Sequence, residues 1–208
     1  MERLGRTLLF CVLDTETTGL DPDYHEVIQI AAIMCDQYMD EIGRTSFRIQ
    51  PQWIERASRK ALEINGYHPR TWNPKFYTHK KALKYLNSFI GKYSDSTDEI
   101  VLVGQNIKFD IDFITAAYNR EGVLYPFSYT SFDLIDVVKI WEKDNDRRLK
   151  SRSLKYLSEF TGCINTNPHD AEADAETTLD ILKWFIEDFK RGSNNARRSV
   201  RKCTKVKV

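Results

Sequence analysis

Five residues in three short segments carry acids and a base from which a reaction can be built. Asp14 and Glu16 stand two apart at the end of an apolar run (LLFCVL, residues 8–13). Strand residues two apart share a face, so both carboxylates project together and Thr15 turns away. Two like charges ~4 Å apart repel by ~4 kcal/mol even at an effective dielectric of 20, so a pair placed beside a core calls for a cation. Asp110 closes the segment GQNIKFD (residues 104–110), just past a second apolar run and in the first turn of a helix. Asp112 competes for the same role, but two residues on it points about 200° around the helix. His169 and Asp174 open the last helix in HDAEADA (residues 169–175). They lie about one and a half turns apart, and a histidine at or before the first turn can fold its ring back to the Asp174 face.

Each segment alone has a plain alternative: a solvated strand end, an anion at a helix N-terminus, an acidic first turn. Together they supply four oxygen ligands and no cysteine, a set suited to Mg²⁺ or Mn²⁺ and not to zinc. Carboxylates that hold two such ions ~4 Å apart clamp the attacking and leaving oxygens of a phosphoryl displacement. An imidazole, ordinarily titrating near pH 6.5, can take the proton from the attacking water.

The elements that must position these groups follow from periodicity. Residues 8–13 read as a buried strand, with turn composition over residues 17–23. Residues 27–35 (VIQIAAIMC) and 45–49 read as two more strands, and the short connections make an antiparallel meander. Ala82, Leu83, Leu86, Phe89, Ile90 and Tyr93 form an amphipathic helical stripe. Residues 100–103 form an apolar strand buried on both faces, ended by Gly104, and Phe109, Phe113, Ala116 and Ala117 begin another helix. A short strand or loop is expected at residues 131–133, then a helix through Leu154, Leu157 and Phe160. Asn167-Pro168 signals the start of the last helix, whose stripe is Ala171, Ala175, Leu179, Leu182, Ile186 and Phe189. Strands first, then strands alternating with helices, predict an α/β layer fold: a mixed sheet, meander plus parallel strands, flanked by helices.

The 208 residues, 41% hydrophobic and 29% charged, describe an ordinary globular chain and exclude low-complexity or collagen-like classes. The net charge of +1 hides an asymmetry. Residues 191–208 hold seven basic residues and no acid, leaving residues 1–190 with 24 basic against 30 acidic. The expected organisation is one catalytic domain over residues 1–190 and a basic tail over 191–208. The tail reads as a nucleic-acid arm, a solvated terminus, a segment contacting a protein partner or, over residues 204–208, an edge strand. Cys11, Cys35, Cys163 and Cys203 form no metal-ligand or paired spacing and read as reduced thiols. No apolar run reaches membrane-spanning length and no signal segment is evident, so a cytoplasmic, intracellular location is expected. The aromatic segment with Trp53, Tyr67, Trp72, Phe76 and Tyr77 fits core packing better than base stacking.

In order and spacing, Asp14-x-Glu16-Thr-Thr-Gly-Leu, Gln105-Asn106-x-x-Phe109-Asp110 and His169-x-x-x-x-Asp174 resemble the three exonuclease motifs of the DEDD superfamily. The third motif is similar to that of the histidine subgroup (DEDDh), which includes the proofreading subunit of bacterial replicative DNA polymerase. A tyrosine-subgroup member would carry a tyrosine where this chain has Asp170. The resemblance spans roughly residues 8–190. It implies a ribonuclease H-like fold and metal-dependent 3′→5′ hydrolysis of nucleic acid, single-stranded DNA first, releasing nucleoside 5′-monophosphates. By the same resemblance Asp14, Glu16, Asp110 and Asp174 would be ligands of two Mg²⁺ or Mn²⁺ ions and His169 the general base. Thr17, Thr18 and Leu20 would line the terminal nucleotide, with Asn106 and Phe109 nearby. Gln105 departs from the His-Asn of many members. Two other readings stand beside this one: an exoribonuclease acting on short RNA, and an inactive nucleic-acid-binding adaptor on the same fold.

Overall fold

A computed structural model describes residues 7–70, 72 and 78–203, with side chains as far as Gly192. Its centre is a five-stranded sheet in the order β3-β2-β1-β4-β5. Strands β1 (Leu8–Thr17), β2 (Val27–Cys35) and β3 (Glu41–Arg48) pair antiparallel as the expected meander. Strands β4 (Glu99–Gly104) and β5 (Ser131–Asp133) join parallel to β1 and to each other. The mixed α/β sheet is therefore present. All nine residues of β2 are buried, which its unbroken apolar run requires.

Helices cover both faces. On one side α2 (His79–Ile90) and α3 (Lys108–Glu121) pack Leu83, Leu86, Phe113 and Ile114 onto Cys11, Leu13, Ile30 and Leu102. On the other, α4 (Leu134–Asp144), α5 (Leu154–Thr161) and α6 (Ala171–Cys203) pack Val138, Trp141, Leu157 and Phe185 onto Val12, Ala31, Ile33 and Val103. The alternation of β1 thus sends residues 12, 14 and 16 toward α6, and 13 and 15 toward α3. A short helix α1 (Arg59–Ile64) follows the sheet's edge and buries none of its residues.

Several element boundaries differ from the sequence expectation. β1 continues through Thr17, because its backbone pairs with β2 past Glu16 across a bulge at Glu16/Thr17. β3 begins at Glu41, four residues earlier than the alternation suggested, and α2 ends at Ile90 rather than Tyr93. α1 has no buried stripe to betray it. α4 was not anticipated, although Asp133 caps it by accepting from the Ile135 amide and Leu134, Val138 and Trp141 have helical spacing. α6 starts at Ala171, not at Pro168. Asp170 Oδ1 accepts from the amides of Glu172 and Ala173, a cap that sets the first turn, and His169 before it has φ +67°, outside any right-handed helix.

α6 continues into the basic segment as far as Cys203. The edge strand expected at residues 204–208, and Phe76 and Tyr77, lie outside the described residues. Trp72 is buried, while Trp53 is half-buried with the guanidiniums of Arg56 and Arg120 over its ring at 4.6 and 5.5 Å. Cys11 and Cys35 are buried free thiols, and burial pushes the Cys35 thiol up to about 12. No helix among the described residues is long and apolar enough to cross a membrane.

Candidate active site

The acids meet where β1 leaves the core. Asp14 and Glu16 sit on the α6 face of β1. Asp174 comes from the first turn of α6, and Asp110 from the first turn of α3 on the opposite face. Asp110 reaches the same place because β4 ends beside β1 in a tight turn. A Cβ on Gly104 would lie 2.9 Å from the Leu13 carbonyl oxygen and 2.5 Å from Ile107 Cδ1, so only glycine lets the chain turn this closely into α3.

Thr15, turned away from the acid pair, grips Asp110 instead. Its amide and its hydroxyl both donate to Asp110 Oδ1, at 2.9 and 2.7 Å. Asp110 is 4% exposed, and its carboxyl is close enough to help raise that of Asp14. Asp112 does not compete. It is half-buried and held by Lys108 Nζ at 2.7 Å.

Asp174 is oriented by Asn165, whose Nδ2 donates to Oδ1, and by the His169 amide, which donates to Oδ2 at 3.3 Å. His169 is exposed, two residues ahead of α6. One ring nitrogen of His169 and carboxylate oxygens of Glu16 and Asp174 all lie within 4.8 Å of one another. The fold-back expected from the helix spacing is thus present. Its left-handed backbone aims the amide at Asp174, and histidine is among the non-glycine residues that adopt this region more readily.

The electrostatics are those of an acid cluster lacking its counter-charge. Burial pushes Asp14 well above the usual carboxylate range, and Asp110, Asp174, Glu16 and Asp170 add to it. Burial, then Asp174, Asp110 and Asp170, raise Glu16 to about 8. Burial takes Asp110 to about 7 against the opposing Thr15 hydrogen bonds, and raises Asp174 against its bonds from Asn165 and His169. Among the described residues no lysine or arginine pairs with any of the four, and the carboxylates of Asp14 and Glu16 accept no hydrogen bond. A hard divalent cation, bound through oxygen, is what this donor set fits.

The expected substrate residues divide by exposure. Thr17 and Thr18 are buried: the Thr17 hydroxyl donates to the Gly19 carbonyl, and the Thr18 hydroxyl accepts from the Glu26 amide at 2.9 Å. Both shape the loop, while Leu20, 83% exposed, is the side chain of the three that faces solvent. Asn106, at φ +55°, is exposed with its amide on Asp133 Oδ1, and Phe109 is half-buried. Gln105 donates to the Arg152 carbonyl at 2.7 Å, and its Oε1 is buried without a partner among the described residues. Sequence reasoning missed Gln29, Asn165 and the positioning role of Asp170. Gln29 Nε2 donates to Asp170 Oδ2 at 3.1 Å across 141 residues.

Known proteins resemble this chain. A family model described as Exonuclease matches residues 11–182. Ribonuclease T of Buchnera aphidicola is 31% identical over 194 residues, covering 89% of this chain and 87% of that protein. The 3′-5′ exonuclease DinG of Staphylococcus aureus is 26% identical over 188 residues, of which the match spans only 18% of DinG. Among solved structures, Escherichia coli exonuclease I in complex with a 5cy-dT13 oligonucleotide aligns with TM-score 0.74 at 22% identity, over 89% of this chain and 42% of that one. That likeness speaks for the ribonuclease H-like fold. The family match across most of the chain, with a ribonuclease T of nearly equal extent, carries the identity: this chain belongs to the RNase T exonuclease family of the DEDD superfamily, and is a 3′→5′ exonuclease.

Proposed function

We propose that the chain is a histidine-type (DEDDh) member that removes nucleotides one at a time from single-stranded 3′ ends, DNA foremost, releasing nucleoside 5′-monophosphates. The observation that carries this reading is the convergence of Asp14, Glu16, Asp110 and Asp174, with no lysine or arginine paired to them among the described residues, beside an exposed His169. The four carboxylates would hold two Mg²⁺ or Mn²⁺ ions, which when bound supply the positive charge that activates water and stabilises the pentavalent phosphorus. Thr15 holds Asp110, and Asn165 holds Asp174, in their ligand orientations. His169 takes the proton from the attacking water at its ring nitrogen, and its exposure lets that proton pass to solvent. Leu20 and Phe109 supply apolar contact to the terminal nucleoside, with Asn106 beside them. The basic segment 191–208 adds contacts to the nucleic-acid backbone.

One observation favours a second reading, trimming of RNA: a relative matched over 89% of this chain and 87% of its own length is a ribonuclease T. Digestion of matched single-stranded DNA and RNA oligonucleotides in millimolar Mg²⁺ decides between them. Faster shortening of DNA from the 3′ end supports the first reading, and faster shortening of RNA replaces it with the second.

A further inference from the structure

Beside His169 lies a cleft of about 390 Å³ that the catalytic acids do not fill, with Gln29, Arg48, Asn65, Trp72, His169 and Asp170 in its lining. A row of cross-strand partners explains its position. Glu16 on β1 faces Gln29 on β2, and Gln29 faces Arg48 on β3. At ~4.8 Å per strand, Arg48 stands ~10 Å along the sheet from the metal-site acid. Gln29, between them, is engaged with Asp170. Arg48 turns its guanidinium over the Trp72 ring, 4.3 Å from the centroid, and pairs with no carboxylate among the described residues. Trp72 is 3% exposed, and its indole Nε1 has no hydrogen-bond partner among the described residues. A buried N–H left unsatisfied costs about 1–3 kcal/mol, and an indole offers only a donor. A stacked arginine without an acid and an orphan indole N–H, lining one cleft, are the complement of an oxyanion.

We infer that Arg48 and Trp72 form a second phosphate site, two strands along the sheet from the metal centre. It takes a phosphate that is not being cleaved, either one in the backbone of the bound strand or that of the released 5′-mononucleotide. The site rests on the exonuclease reading for its ligand class, and the register sets Arg48 two strands away from Glu16.

The test uses Arg48→Gln, with Trp72→Phe as a second variant that keeps an aromatic face for the guanidinium and removes the indole N–H. Two readouts are taken: KM and kcat on a single-stranded oligonucleotide across a salt series, and the melting-temperature rise on adding thymidine 5′-monophosphate in EDTA. If the ligand is a backbone phosphate, Arg48→Gln raises KM about tenfold, affects kcat less, and flattens the log–log salt slope by about 0.7. If the ligand is the product, Arg48→Gln abolishes the thermal rise seen with wild type and leaves the oligonucleotide KM in place. Trp72→Phe moves the same readout in the same direction by about threefold. Unchanged KM, salt slope and thermal rise in Arg48→Gln overturn the site. The melting experiment needs no catalysis, so a wild-type protein without nuclease activity would contradict the proposed function and still leave the phosphate site to be judged.

Discussion

Replacing Glu16 by Gln should stabilise the metal-free protein, and the size and pH range of the effect follow from its surroundings. Burial and three neighbouring acids raise this carboxyl from its ordinary 4.5 to about 8. The folded state therefore keeps a proton that the unfolded state releases, and stability from this group, present below pH 4.5, is lost as pH rises toward 8. At about 1.4 kcal/mol per pH unit the full difference is about 5 kcal/mol. Glu16 is only half-buried, and interior relaxation and solvent screening bring the expected value nearer ~2 kcal/mol. Glutamine keeps the shape, carries no charge and forfeits no hydrogen bond, since the carboxylate accepts none among the described residues. For a chain of this length ~2 kcal/mol is roughly 4–8 °C in melting temperature. Thermal melts in EDTA at pH 8 should show Glu16→Gln above wild type by that amount, with the gap closing toward pH 4.5. Millimolar Mn²⁺ should reverse the order, because wild type gains ligand-linked stability that the variant has partly given up. A variant that melts at or below wild type in EDTA at pH 8 would refute the claim that these acids are held together against their own repulsion.

His169→Ala should lower kcat about 10²–10⁴-fold while shifting KM for single-stranded DNA far less; a loss confined to KM contradicts a proton-transfer role. Asn165→Ala, which frees Asp174, should weaken Mn²⁺ affinity about 10–100-fold in a metal titration of activity. Asp112→Ala, which breaks only the exposed pair with Lys108, should change stability by less than about 1 kcal/mol and leave activity near wild type, whereas Asp110→Ala abolishes it. Truncation after Lys190 should flatten the salt dependence of substrate binding by up to ~5 log units per log unit if all seven tail cations engage phosphates; an unchanged slope would remove the tail from the nucleic-acid interface.

What could be read from sequence was whatever is local. The apolar runs of β1, β2 and β4 and the stripe of α6 announced themselves by period, and three acid-bearing segments followed from where those runs stop. The nearness of His169 to Asp174 was legible from their spacing, although His169 itself stands ahead of the helix in a left-handed conformation. What stayed hidden depends on partners distant in the chain. Thr15 meets Asp110 across 95 residues, and Gln29 meets Asp170 across 141, and no spacing rule links either pair. Helix α4 was missed because its buried face includes Glu142, whose carboxylate is satisfied by Arg152 and the Leu149 amide and so interrupts the apolar stripe. Helix α1 was missed because it buries nothing. The Pro168 start signal was outweighed by Asp170, a side-chain cap two residues later.

The central claim is that four converging carboxylates and one histidine hydrolyse nucleic acid from its 3′ end. Its most direct measurement follows a 5′-labelled single-stranded DNA oligonucleotide with Mg²⁺ or Mn²⁺, for wild type and for Asp14→Ala. The account predicts a ladder shortening by single nucleotides with 5′-monophosphates released, stopped by EDTA and slowed at least ~10³-fold in the variant. An undiminished ladder from Asp14→Ala, or internal fragments in place of mononucleotides, would contradict it.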